Sequence, residues 1–455
     1  MSFSKYRRVL QKTLWELSAR SRASAAGARL APGRLTVLDK DPRQDQGFLM
    51  ERAREFGPVF KVWMPHKLTT CIVGLALARR FLTEHEDNIG VATPDLSLLF
   101  PHGFLRGLEG EPHKIYRKRF AKAFRATPIE IHDPLVLQAI RRCFASIADA
   151  PQPVAGPTIR SHFKALTTEL MLWFVLGVEL GSELSRRLAA DCAAYAPDGA
   201  FLVVRKRHRQ AYRAIRDLVA GHAQTLKEGH PSLLGHFVRA QNLDETVLGN
   251  LIQMVVVGSY DLHGLCMWLL KHMGDNPETA DLARSHPAGC AGAVRPAWAI
   301  PRETLRMEQS ELLLRVATRD IVFDGFFIPK DSHIRICVWE AHHDPRVFEQ
   351  PFQHDCRRFM AGRVSPSDYA PFGLDKHRCL GADWSYILGE IFVEELVTGF
   401  RLQIVDDGPP EFGRFHFQPS SRLASCVQEG LVGEAETDLL GCRLASSRIG
   451  GDVRF

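Results

Sequence analysis

The feature that most constrains this chain is one long, almost uncharged run. Residues 248–270 are its most apolar stretch. A helical pattern opens near Asn242, which is followed three residues later by Glu245 in the manner of a capping box, and it continues to about Met273. At roughly 1.5 Å per residue such a helix is on the order of 45 Å long, enough to cross a whole domain. It is apolar nearly all round, so it belongs inside the protein rather than on its surface. A membrane span is the poorer reading, because Gln253, Asp261 and His263 lie in its middle, where ionisable groups are costly in lipid. The chain therefore reads as a large helical protein organised around one buried rod.

The segments on either side are shorter. A basic N-terminal helix, with Val9, Leu10, Leu14 and Leu17 at helical spacing, leads into an irregular stretch over 22–47. Residues 59–62 and 69–73 flank Pro65 as two short strands, and 74–86 return to helical spacing. Residues 90–112 hold four glycines and three prolines among Leu and Phe, the composition of a long ordered loop that shapes a pocket. Helical patterns then dominate from His113 to about Leu270, with breaks at 151–157 and 196–199. Residues 285–301 predict a loop, followed by a helix around Glu303. Residues 320–323 and 326–328 flank Asp324-Gly325, a type I′ hairpin signal, and a third strand is expected over 333–338. A turn-rich stretch ends at Cys379, 381–397 is helical again, and the tail from about Gly430 is less regular. The sum is a mainly α protein with small β-sheets, without the alternation of a parallel α/β fold. Its expected organisation is an N-terminal helix and lead-in over 1–47, a single domain over 48–428 and a tail over 429–455.

Composition narrows the function classes. The 455 residues carry a net charge of +6 with no concentrated basic stripe, which argues against nucleic-acid binding. Ten cysteines are spread along the chain with no C-x-x-C pair, so neither a structural zinc site nor a disulfide scaffold has support. Reduced thiols in a cytoplasmic protein are the simplest reading. The first thirty residues lack an apolar run long enough for a signal peptide or an integral membrane anchor. They suit a solvated helix, with peripheral membrane contact as the alternative.

The most informative decapeptide is Phe372-Gly373-Leu374-Asp375-Lys376-His377-Arg378-Cys379-Leu380-Gly381. Glycines near both ends permit a tight loop, and Cys379 sits where a helix begins. The positive helix end, with Lys376, His377 and Arg378 nearby, would favour a thiolate. A thiolate on a loop entering a helix suits an axial haem ligand, which pushes electron density onto iron. The bland alternative is a buried free cysteine. This decapeptide resembles the haem-binding loop of the cytochrome P-450 superfamily, matching its pattern at Phe372, His377, Cys379 and Gly381. It departs at Asp375, where the family usually has a glycine that allows a bulge above the cysteine. Asp tolerates unusual backbone angles better than most residues, so the assignment stands with Asp375 at the bulge.

Further motifs arrive in family order. Glu303-Thr304-Leu305-Arg306 is similar to the family's E-x-x-R helix, and Arg358 matches the second arginine that joins it to brace the haem loop. Taken alone, Glu303 and Arg306 could be a surface ion pair of little worth. His113 and Arg117 lie one helical turn apart, on a stretch resembling the propionate-binding helix. Arg315 resembles the arginine that precedes the family's hairpin, and His377 would supply a further contact. Residues 341–345 resemble the segment before the family's meander. The likeness spans about 50–405 and implies the P-450 fold, with the long helix crossing above a haem b whose iron takes Cys379 as ligand.

The long helix itself is atypical. Where the family places a glycine, an acid and an alcohol over the distal haem face, this chain has Gly258, Tyr260 and Asp261. Gly258 keeps the groove, Tyr260 replaces the acid and Asp261 replaces the alcohol. A buried Asp has a raised pKa by desolvation and could still donate protons; otherwise Asp261 hydrogen-bonds a neighbouring helix. The resemblance implies a soluble monooxygenase acting on a small organic substrate of secondary metabolism. Electrons would come from a separate acidic ferredoxin or flavodoxin, docked on Lys118, Arg119, Lys122, Arg357, Lys376 and Arg378. The alternatives are a peroxide-driven enzyme, a non-oxygenating dehydratase, isomerase or coupling enzyme, and a non-catalytic haem- or carrier-binding protein.

Overall fold

The structure is a computed structural model that describes residues 3–34, 45–64, 67–127, 133–196, 203–227, 229–286, 294–308, 313–413 and 416–430. Most of the expected tail lies outside these residues. The chain forms two compact units. One comprises Met1–Thr93, Glu311–Phe352 and Ser365–Arg378; the other comprises Pro94–Ser310, Gln353–Val364 and Cys379–Phe455. The domain expected over 48–428 is thus distributed over both.

The first unit is built on a five-stranded sheet. Val59–Met64 pairs antiparallel with Lys67–Val73, which runs parallel to His333–Cys337; Leu314–Ala317 and Ile89–Val91 complete it in that order. Alternating side chains from this sheet enter an apolar core with Phe81, Ile334 and Ile336. The expected hairpin is present as Ile321–Phe323 and Phe326–Ile328, with φ of 50° at Asp324 and 76° at Gly325, the two left-handed positions a type I′ turn demands.

The N-terminal helix spans Phe3–Ala25, but its apolar stripe faces the other way from a core-seeking one. Leu10, Leu14 and Leu17 are exposed, whereas Ala19, Ala23 and Glu16 are buried. Two contacts decide the rotation. Trp15 meets Trp63 edge-on, and Glu16 forms a buried ion pair with Lys61 at 2.9 Å. Both partners lie on a strand far away in sequence, so helical spacing alone gave no access to them.

The second unit is helical around the rod, which spans Glu245–Asp275 and is buried along most of its length. It packs on Gly156–Met171, Pro296–Met307 and Ala382–Gly399. Its cap corrects the sequence expectation: the side chain of Asp244, not Asn242, accepts the Val247 N–H at 2.8 Å. The 285–301 loop is also corrected, because the helix containing Glu303 already begins at Pro296 and carries Pro301 inside it. Proline suits the first helical turn, and Pro301 is accommodated by Gly389, where an added Cβ would lie 2.8 Å from the proline ring. Two small sheets were not anticipated: Phe400–Asp406, Ala424–Glu429 and Val154–Ala155 form one, and Glu411–Phe412 with Phe417–Gln418 the other. No described helix is long and apolar enough to cross a membrane.

Candidate active site

Cys379 is the exposed thiol among the eight described cysteines; the others are buried or half-buried, and several have their thiol pKa raised by burial. It lies just before the helix Ala382–Gly399. The Gly381 N–H donates to its Sγ at 3.3 Å, directing a backbone dipole at the sulfur. A Cβ built on Gly381 would sit 3.8 Å from that Sγ and 3.9 Å from Phe124, so the sulfur, this backbone and an aromatic ring are close neighbours. Phe124 in turn packs on Trp384, with ring centroids 5.1 Å apart. A sulfur that is accessible, held by a backbone donor and backed by aromatic rings fits a thiolate ligand to haem iron. His113 is buried and Arg117 half-buried on the helix Gly110–Ala126, one turn apart as expected.

The brace is where the motif put it. Glu303 and Arg306 are fully buried and joined at 2.8 and 2.9 Å, and Arg358 Nε donates to the same carboxylate at 2.9 Å. The Asp355 N–H adds a third type of donor at 3.0 Å. Burial alone would raise the Glu303 carboxyl, but the hydrogen bonds and charge of Arg306, with His354 and Arg358, hold it below its ordinary value. Sequence reasoning missed a ring column beside it. Trp268 stacks on His272 and His272 on His354, whose Nε2 lies 3.1 Å from Thr304 Oγ. These rings come from segments about eighty residues apart, and no spacing connects them.

On the rod, Gln253, Met254, Val257, Gly258 and Asp261 are half-buried while the residues between them are buried. Their spacing of one, three, one and three residues defines a single accessible face, the periodicity of a helix wall along a cavity. Asp261 stands on that face. Gly258 provides a groove, but the end of Met171 fills it: an added Cβ would lie 2.6 Å from Met171 Cε. Tyr260, grouped with Asp261 and Gly258 as catalytic, points elsewhere. Its ring packs beside His263 and His416, with centroids 5.2 and 5.1 Å away. Consecutive helical residues differ by about 100° in direction, so Asp261 and Tyr260 cannot share a face.

In the first unit, Arg315 was expected to face a haem propionate. Its guanidinium pairs with the carboxylate of Asp375. The bulge is also placed differently: Gly373 has φ of 92°, while Asp375 is not among the left-handed residues. Phe372 and His377 are half-buried in the same loop. In the expected docking group Arg119 pairs with Asp244 at 2.7 Å, Lys376 with Glu86 at 2.8 Å and Arg357 with Asp355 at 3.8 Å. Lys118, Lys122, Arg357, Lys376 and Arg378 are exposed.

Comparison with known proteins agrees with this geometry. A profile of the family "Cytochrome P450" matches residues 298–421. A rice protein (Oryza sativa subsp. indica) named abscisic acid 8′-hydroxylase 3 is 27% identical over 217 residues, covering 44% of this chain and 43% of that protein. The chain therefore matches under half the length of that relative. A Mycobacterium tuberculosis protein named as cytochrome P450 138 is 22% identical over 350 residues, 72% of this chain and 78% of that protein. The fold is that of the retinoic acid-bound cyanobacterial CYP120A1, at a TM-score of 0.73 and 20% identity, covering 89% of this chain and 100% of that one. The profile match takes in Glu303, Arg306, Arg358 and Cys379, and the fold is the cytochrome P450 fold. In the matched family a cysteine thiolate holds the haem.

Proposed function

We propose that this protein is a haem-thiolate monooxygenase acting on a small organic substrate, with Cys379 as the axial ligand. The observation that carries the reading is the accessible Cys379 sulfur, fixed by the Gly381 N–H at the entrance to a helix. Bound there, haem b would supply reductive activation of dioxygen, one oxygen atom going to the substrate and the other to water with two electrons and two protons. The chain's own residues do the rest. Cys379 would donate charge, His113 and Arg117 would hold propionates, and Arg358 with Glu303 and Arg306 braces the protein near residue 355. Asp261, on the accessible face of the rod, would hold and pass on protons. The hydroxylase name carried by the rice relative supports oxygen insertion. Electrons would come from an acidic ferredoxin or flavodoxin. Lys118, Lys122 and Arg357 of the second unit would be its exposed basic contacts.

One observation favours a second reading. The face of the rod offers a lone carboxylate where the family has an acid and an alcohol, and Tyr260 is turned away. A peroxide-driven or non-oxygenating haem-thiolate enzyme needs no such pair.

The test is spectroscopic. The purified protein is expected to be red, and its reduced carbon monoxide complex to show the strongly red-shifted Soret band of thiolate ligation. Cys379→Ser is expected to lose that band; a variant that keeps it would remove Cys379 from the iron.

A further inference from the structure

The part of the cysteine loop that belongs to the first unit, residues 372–378, is held by a charged clamp. Asp375 Oδ2 accepts from Arg315 through Nη2 and through Nε, the latter at 3.2 Å. The pair is sheltered, with side chains 5% and 19% exposed. The other carboxylate oxygen accepts the His377 N–H at 2.8 Å, and the Arg378 N–H closes on the Asp375 carbonyl at 2.9 Å. Arg315 is itself fixed, because it stands on a strand of the five-stranded sheet and its Nη1 donates to the Leu314 carbonyl at 2.8 Å. The Asp375 carboxylate thus ties the backbone at 377 to the most regular part of the unit, and the Asp375 carbonyl holds the turn to 378. Those residues lead directly into Cys379.

We propose that Asp375 and Arg315 form a positioning pair that sets the backbone leading into Cys379 and fixes the net charge beside the cofactor. The glycine usual at position 375 in the family gives a loop backbone freedom. Here a side chain that caps the turn and neutralises a buried guanidinium takes that role. A glycine at 375 would leave Arg315 buried without this counter-ion, which costs more than the intact pair. The charge part of the proposal rests on the haem-thiolate reading, whereas the anchoring part does not.

A double-mutant cycle on the full chain tests both parts: Asp375→Asn, Arg315→Gln and the two together. In urea unfolding of the protein as isolated, each single variant is expected to lower the folding equilibrium constant about tenfold or more, and the double to lower it by clearly less than the product of the two. In the haem-loaded protein, Asp375→Asn is expected to raise the reduction potential and Arg315→Gln to lower it. The double should return toward the parent, because net charge beside the cofactor is restored. A purely structural pair would not give shifts of opposite sign. Independent effects in the unfolding cycle, or potential shifts of one sign, overturn the proposal. If the parent protein shows no thiolate-ligated haem, the functional reading falls, and the unfolding cycle still decides the anchor. Should Arg315→Gln not fold, Arg315→Lys replaces it: the charge stays and the fork is lost, so stability should drop while the potential holds.

Discussion

Two carboxylates of the second unit lie on neighbouring helices and have opposite fates. Glu303 is fully buried and accepts from Arg306, Arg358 and the Asp355 N–H. Asp261 is half-buried on the one accessible face of the rod. Enclosure by cations spends a carboxylate's charge on holding segments together, here residues 296–307 against 353–358. A carboxylate on an accessible helix face keeps its capacity to exchange protons. The contrast teaches that residue type does not separate structural from chemical acids; the degree of enclosure does.

The comparison is broken most severely at Glu303. Glu303→Gln leaves two buried guanidiniums without their counter-ion, so folding stability should fall by about 3–5 kcal/mol. The check is urea unfolding of the variant beside the parent, together with the amount of folded protein recovered. A variant as stable as the parent would show that the arginines find other partners and that the cluster is no anchor.

A middle-sized effect comes from two buried histidines, one beside the Glu303 anchor and one on the rod. Burial lowers His354, beside the anchor, to about 4, and burial also lowers His263, on the rod, to about 4. Both start from an ordinary value of 6.5, so as pH falls below about 6.5 the unfolded chain takes up protons that the folded chain refuses. Stability from these groups is therefore complete above about pH 6.5 and is lost progressively down to about pH 4. Glu303 acts in a separate, lower window: its folded value is depressed, so its contribution disappears only as pH drops below the ordinary carboxylate range. Thermal unfolding across pH 4–7 should fall steadily with acidification, and His354→Gln and His263→Gln should each flatten the slope. An unchanged slope in both would place the acid sensitivity elsewhere.

How far the sequence could have led follows from the same distinction. Signals carried by adjacent residues were readable: Asp324-Gly325 named its turn, the apolar run named the rod, and the E-x-x-R spacing put Glu303 and Arg306 together. Signals that need a partner far along the chain were not. The rotation of the N-terminal helix depends on Lys61 and Trp63, the pairing of Arg315 on Asp375, and the ring column on residues 268, 272 and 354. The capping residue was missed by two positions because Asn242 and Asp244 are both good caps, and only the geometry at Val247 separates them. Tyr260 and Asp261 could be separated in advance, since successive residues diverge on a helix; which of the two faces open space could not.

The smallest effect on the fold is expected at Asp261, and that is what makes it the sharpest test. Its side chain is half-buried, whereas Glu303 is fully enclosed, so Asp261→Ala should shift the unfolding midpoint far less than any change at Glu303. Haem binding should be unchanged. Product formed per reducing equivalent should nevertheless drop strongly, because dioxygen reduction needs protons delivered to a specific oxygen, and a nearby carboxyl is the group on this face that can hold one. Tyr260 cannot compensate: its ring is packed against His263 and His416, and an unperturbed phenol titrates at about 10. The measurement is product against reducing equivalents consumed, with peroxide release followed in parallel. Coupling and rate equal to the parent would make Asp261 a structural acid like Glu303 and erase the contrast. Loss of turnover in a reaction that consumes neither reductant nor dioxygen would keep the contrast and assign Asp261 an acid–base role in a non-oxygenating enzyme.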